Sequence, residues 1–123
     1  EVYSTPTTRD ATNKPKAAGI REVDDIYVAE AIPEDLWFQV NSGEALIGLF
    51  KYDDRSDALY VANRNAYAPQ DMAIAVKGKN AQVELFDRPT GTWKALDPKD
   101  GAVRFVLAAA GGELLKISGA DKK

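Results

Sequence analysis

The chain has 123 residues, 45% of them hydrophobic, a formal charge of −3, and neither cysteine nor histidine. That length and apolar content suit one domain around one core, while disulfides, thiolate metal sites and Ser/His/Asp or Cys/His catalysis are excluded by composition. Basic and acidic residues are interspersed, without the Lys/Arg cluster that marks a nucleic-acid surface, and no apolar run approaches the roughly 18 residues that cross a bilayer.

Glu1-Val2-Tyr3-Ser4 shows neither the basic region nor the apolar core of a signal peptide, which predicts a mature or excised polypeptide. Residues 4–19, rich in Thr, Pro and charge and lacking apolar periodicity, predict an extended lead-in or linker over 1–19. From Ile20 to Asp35 two readings stay open. Ile20, Val23, Ile26 and Tyr27 recur at near-helical spacing, whereas their β-branched members favour strand. Pro33 to Leu36 suit a short helical turn, because proline is at home in a first turn.

Beyond Leu36 short apolar segments recur between turn signals at the spacing of a sandwich or barrel. They run from Leu36 to Val40, Ala45 to Tyr52, Ala58 to Asn63, Met72 to Lys77, Gln82 to Asp87, Thr92 to Ala95, Val103 to Leu107 and Glu113 to Ser118. Ser42-Gly43, Lys77-Gly78-Lys79-Asn80, Pro89-Thr90-Gly91 and Asp97-Pro98-Lys99-Asp100-Gly101 separate them with residues that accept turn dihedrals. Met72, Ile74 and Val76 alternate as one core face, and Val103, Phe105 and Leu107 as another. Ala45 to Phe50 is apolar on both faces, the pattern of a central strand or of one whose outer face is covered by a neighbour. The expected fold is therefore all-β: a single, mostly antiparallel Greek-key sandwich of about eight strands over residues 20–119, with a tail at 120–123.

Little in this pattern carries chemistry. Asp53, Asp54 and Asp57 offer carboxylates for a hard cation, but lack the EF-hand spacing and its glycine, and the same residues favour a hairpin turn. The acids sit in turns or alternate outward, as a solvated surface requires. Gly111-Gly112 precedes a strand, so it is no phosphate loop. Neither a catalytic residue, a metal nor a cofactor is expected. Trp93, Tyr67 and Trp37 are the aromatics able to offer a ring face to a sugar, each also readable as core or interface packing. Arg64 to Gln70, the longest loop between the confident strands, is the natural place for a contact residue.

Four pieces, in order, carry a family resemblance between Leu46 and Ile117: Leu46-Ile47-Gly48-Leu49-Phe50; Leu59-Tyr60-Val61-Ala62-Asn63-Arg64 after an acidic hairpin; Val83-Glu84-Leu85-Phe86-Asp87 running into Thr90-Gly91-Thr92-Trp93; and Gly111-Gly112-Glu113-Leu114-Leu115-Lys116-Ile117. The series resembles the C-terminal β-sandwich domains appended to bacterial glycoside hydrolases with a (β/α)8 barrel, and Val2-Tyr3-Ser4-Thr5-Pro6 resembles the passage from barrel into sandwich. Lys16 to Asp35 departs from the usual short connection and reads as an insertion. Each motif also has a structural reading: Gly91 suits a positive-φ position in a bulged hairpin, Gly111-Gly112 a tight return, and Asn63 a bond to backbone in the following turn.

The resemblance implies that chemistry resides in a separate barrel and that this chain is a non-catalytic accessory domain, packing on or orienting it. It also implies an extracellular or periplasmic location and a catalytic domain of the same protein as partner, while the charge pattern and the lack of a long apolar run point to no nucleic acid and no membrane. An autonomous carbohydrate-binding module using surface aromatics and a protein–protein adhesion domain of the fibronectin type are the alternatives.

Overall fold

A computed structural model describes residues 1–5, 20–21 and 28–122. Its elements are all strands: β1 (Val2–Ser4), β2 (Ile20–Arg21), β3 (Val28–Ala31), β4 (Phe38–Ser42), β5 (Ala45–Asp53), β6 (Ser56–Asn63), β7 (Gln70–Val76), β8 (Gln82–Asp87), β9 (Thr92–Leu96), β10 (Val103–Leu107) and β11 (Gly112–Ser118). They form two sheets, one ordered β2-β3-β1-β5-β6-β11-β8-β9 and one ordered β10-β7-β4. The chain crosses repeatedly from one sheet to the other, and β11 returns from β10 to lie between β6 and β8, the long-range return that a Greek-key sandwich needs.

The eight expected strands are β4 to β11, with β8 and β10 at the expected residues. Three further strands precede them. The lead-in begins as a strand, because β1 pairs antiparallel with β5 and parallel with β3. Ile20–Arg21 and Val28–Ala31 are strand and not helix; Val23, Ile26 and Tyr27, like residues 6–19, lie outside the described residues. Pro33 to Leu36 form a turn closed by the Leu36 amide on the Pro33 carbonyl at 3.1 Å, short of a helical turn. The last residues are also held: the Asp121 amide donates to the Lys77 carbonyl at 2.8 Å, and Lys122 pairs with Asp57.

Strand alternation builds the core as the sequence leads one to expect. Ile47, Leu59, Val61, Leu115 and Ile117 point inward from the large sheet, and Phe38, Met72, Ile74, Phe105 and Leu107 meet them from the small one. Full burial of each such side chain contributes about 1.5–3 kcal/mol against the entropy of ordering the chain. Tyr3 and Trp37 pack edge-on to Phe38, at 5.9 and 5.0 Å between centroids. At the β8–β9 turn Gly91 has φ +67 and its amide donates to the Asp87 carbonyl at 2.8 Å, a geometry that a Cβ would strain.

Asn63 ties three segments together where β6 ends. Its Nδ2 donates to the Ala68 and Ala108 carbonyls, both at 2.9 Å, and its Oδ1 accepts the Asn65 amide at 2.8 Å. Asn63→Ala removes these bonds and is expected to cost about 1–3 kcal/mol. Asn63→Asp is expected to cost at least as much near neutral pH, since a carboxylate cannot donate and would face two carbonyls. Urea melts of the two variants check both values.

Tyr3 donates to the Glu1 carboxylate, and that bond, with burial and the nearby Glu1 and Glu30 charges, pushes its pKa from 10.0 up to about 12. The neutral phenol is thus favoured in the fold. This stabilisation is complete below pH 10 and is lost as pH rises toward 12, because the unfolded chain ionises first. Tyr3→Phe should flatten the fall in stability between pH 10 and 12, measured by urea melts at both ends.

Candidate interaction surface

The register of the large sheet decides which residues share its outer face. Val2 on β1 lies opposite Gly48 on β5, Gly48 opposite Tyr60 on β6, and Tyr60 opposite Leu114 on β11. Phe86 on β8 and Trp93 on β9 lie opposite each other on the same face, 5.2 Å apart between ring centroids. Facing residues in an antiparallel pair point the same way, so an apolar band runs across the sheet.

Its members are open to solvent to an unusual degree for such side chains. Val2 is 47% exposed, Phe50 49%, Tyr52 47% and Tyr60 45%. Gly48 sits among Val2, Leu46, Phe50 and Tyr60, and a Cβ built on it would meet nothing within 4 Å. The band therefore has a dent at its centre. Gly112 is glycine for the opposite reason, because the Tyr60 ring lies across its backbone and a Cβ there would overlap the phenol. Tyr60, Phe86, Arg88, Gly112 and Leu114 line a shallow depression of about 190 Å³ beside the dent.

A cation stands among the rings of this face. Lys116 Nζ stands 4.8 Å from the Trp93 ring centroid and 5.2 Å from that of Tyr52, and 3.4 Å from Glu84 Oε1. Tyr52 and Trp93 are perpendicular, 5.6 Å apart between centroids. An ammonium over two ring faces is held by their quadrupoles, which limits the orientations that Trp93 and Tyr52 adopt.

The three aromatics singled out from the sequence are at separate places. Trp93 belongs to the band. Tyr67 is 95% exposed in the β6–β7 loop, where its amide donates to Asn65 Oδ1 at 2.9 Å. Trp37 is 7% exposed, against Phe38 and beneath the Lys122 ammonium, so it has no ring face to offer a ligand. Asp53, Asp57 and Asp87 serve turns and pairs. The Ser56 hydroxyl and the Arg55 amide hold Asp53 below the usual carboxylate range, and the Thr90 hydroxyl and Lys94 do the same for Asp87. Asp57 is engaged by Lys122. No three acids gather as metal ligands among the described residues.

Tyr52, Tyr60, Phe86 and Lys116 were not singled out by sequence reasoning, although signals existed for two of them. Tyr60 sits out of phase with core-facing Leu59 and Val61, and Phe86 and Trp93 flank one turn at the spacing of a cross-strand pair. Comparison with protein-family models, curated proteins and solved structures gives no match to this chain.

Lys116→Met is expected to cost about 0.5–1 kcal/mol and to shift the tryptophan emission, with no further shift in a Trp93→Phe background. Lys116→Arg, which keeps a cation over the rings, should restore most of both. Fluorescence with urea titration reads the two effects together.

Proposed function

We propose that this chain is a non-catalytic β-sandwich accessory domain of a carbohydrate-active enzyme, and that it packs on or orients the catalytic domain through the outer face of its large sheet. The observation that carries the reading is the band of half-exposed Val2, Phe50, Tyr52 and Tyr60 around the dent at Gly48. A sheet face with no covering layer ordinarily alternates to polar residues, and contiguous exposed apolar side chains mark contact surfaces. The ordered motifs from Leu46 to Ile117 supply the carbohydrate-active context, and an extracellular or periplasmic location goes with it. The absence of histidine and cysteine, with Asp53 engaged in its turn and Asp57 in an ion pair, favours a supporting role over a catalytic one.

A second reading rests on Trp93, whose partly exposed indole is braced by Lys116 beside the Glu84 carboxylate, an arrangement suited to stacking a sugar ring while bonding its hydroxyls. In that case the chain binds polysaccharide by itself.

Phe50→Glu and Tyr60→Glu separate the readings in the full-length gene product that carries this chain. Under the first, each lowers the cooperative melting temperature by about 5 °C and weakens retention of the catalytic domain, while the 123-residue chain alone melts nearly unchanged. Melting and retention unchanged in the full-length product would refute it. Affinity-gel retardation lost on Trp93→Ala, with folding intact, would favour the second.

A further inference from the structure

The small sheet carries a different kind of surface, at its edge. β10 hydrogen-bonds to β7 in unbroken register from Val103 to Leu107, and no described strand lies on its other side. Edge strands usually carry a device against further pairing, such as a proline, a bulge, an inward charge or an edge lysine. At the opposite edge of this sheet β4 has one, a shift in register between Val40 and Ser42. β10 has no proline, bulge or inward charge; the outward Arg104 is the one charge on its five residues. Its outward side chains are Arg104 and Val106, the latter 61% exposed.

Register sets the neighbours of those two side chains. Val106 lies opposite Asp71 on β7 and Arg104 opposite Ala73. Neither Arg104 nor Asp71 has an ion-pair partner among the described residues. Arg104, Val106, Asp71 and Ser42 border a depression of about 280 Å³ on the outer side of the sheet.

We propose that β10 is a self-complementary edge, along which two copies of this chain pair antiparallel about a two-fold axis through Phe105 and so join their small sheets into one. A two-fold axis there sets Arg104 of the second copy directly opposite Val106, on the same outer face. Asp71 stands one strand further on, about 10 Å away across two strand spacings, within reach of an extended arginine. The aliphatic stem of that arginine covers Val106, and its guanidinium meets Asp71 across the depression. Symmetry repeats the contact, giving two reciprocal pairs. The charges select this register. An axis at Arg104 would set two guanidinium groups side by side, and an axis at Val106 would place Arg104 beside Ala108, away from Asp71.

A five-residue edge makes a small interface, so association belongs in the range of about 10 µM to 1 mM. Sedimentation equilibrium over that range should show the mass rising from 13.4 kDa toward twice that value. Arg104→Asp and Asp71→Arg should each weaken association about tenfold, and the double exchange should restore it, because it re-forms both pairs with their signs reversed. Both positions are exposed, so the variants should keep the parent melting temperature. A chain that stays monomeric up to about 1 mM, or a double variant that associates no better than the single ones, overturns the proposal.

Discussion

The rest of this structure depends on the burial of two inner faces against each other. A sheet folds only if one of its faces leaves water, and here Phe38, Met72, Ile74, Phe105 and Leu107 from the small sheet fill the space above Ile47, Leu59, Leu115 and Ile117 from the large one. Because side chains alternate along a strand, this closes the core with every second residue. Most of the others are free of the core, although Ala58 and Ala73 among them are buried. Where those free positions are apolar, as at Val2, Phe50 and Tyr60, the core gives no reason for them. That separation makes the outer face of β1, β5, β6, β11, β8 and β9 readable as a surface with a purpose of its own.

Crossing between sheets also creates ends that have to be sealed, since a loop that passes over the core edge leaves backbone groups unpaired. One end is closed by a set of bonds among segments far apart in sequence. The Thr5 amide donates to the Ala45 carbonyl and Thr5 Oγ1 accepts the Ala45 amide, at 3.0 and 2.9 Å. Arg64 Nη1 reaches the Thr5 carbonyl at 2.8 Å, and the Asn63 amide reaches the Gly111 carbonyl at 2.8 Å. Asn63 therefore holds together the ends of β6 and β10 and the loop leading to β7, and through Arg64 the same corner grips the strand that begins the chain. No buried side-chain nitrogen or oxygen lacks a partner among the described residues.

How far the sequence reveals this follows from the range of each interaction. β4 to β11 are visible because alternation and turn chemistry are local: Met72, Ile74 and Val76 announce one face by themselves, and Gly91 marks its hairpin. β1 escapes for the opposite reason, and β3 lies where helix and strand stay open. Val2–Ser4 is too short to show a period, and its pairing depends on Gly48 and Ile47 more than forty residues away and on a parallel partner in Val28–Ala31. The surface is legible only in part. Two apolar faces on Ala45 to Phe50 point to something covering that strand, but Tyr60, Leu114, Phe86 and Trp93 join the same band only once β11 is known to lie between β6 and β8. The separation of Trp93 from Trp37 and Tyr67 has the same origin, since nothing local tells a tryptophan on the outer face of β9 from one at the start of β4.

An exposed aromatic face raises the question of what keeps the chain from sticking indiscriminately. Part of the answer lies in the row that runs from Phe50, itself a member of the band, through Ala58, Lys116 and Glu84 to Ala95 across the sheet. Lys116 and Glu84 place a paired cation and anion in the middle of apolar surface, and a second apolar surface of arbitrary shape would have to desolvate both. A partner that fits the dent at Gly48 and leaves that pair in contact with water, or answers it with its own polar groups, avoids the cost. Selectivity at such a face thus comes from the position of two charges and one missing side chain more than from total apolar area. The edge at β10 belongs to the other sheet, so a partner seated on the band leaves Arg104, Val106 and Asp71 free, and the two surfaces can be occupied at once.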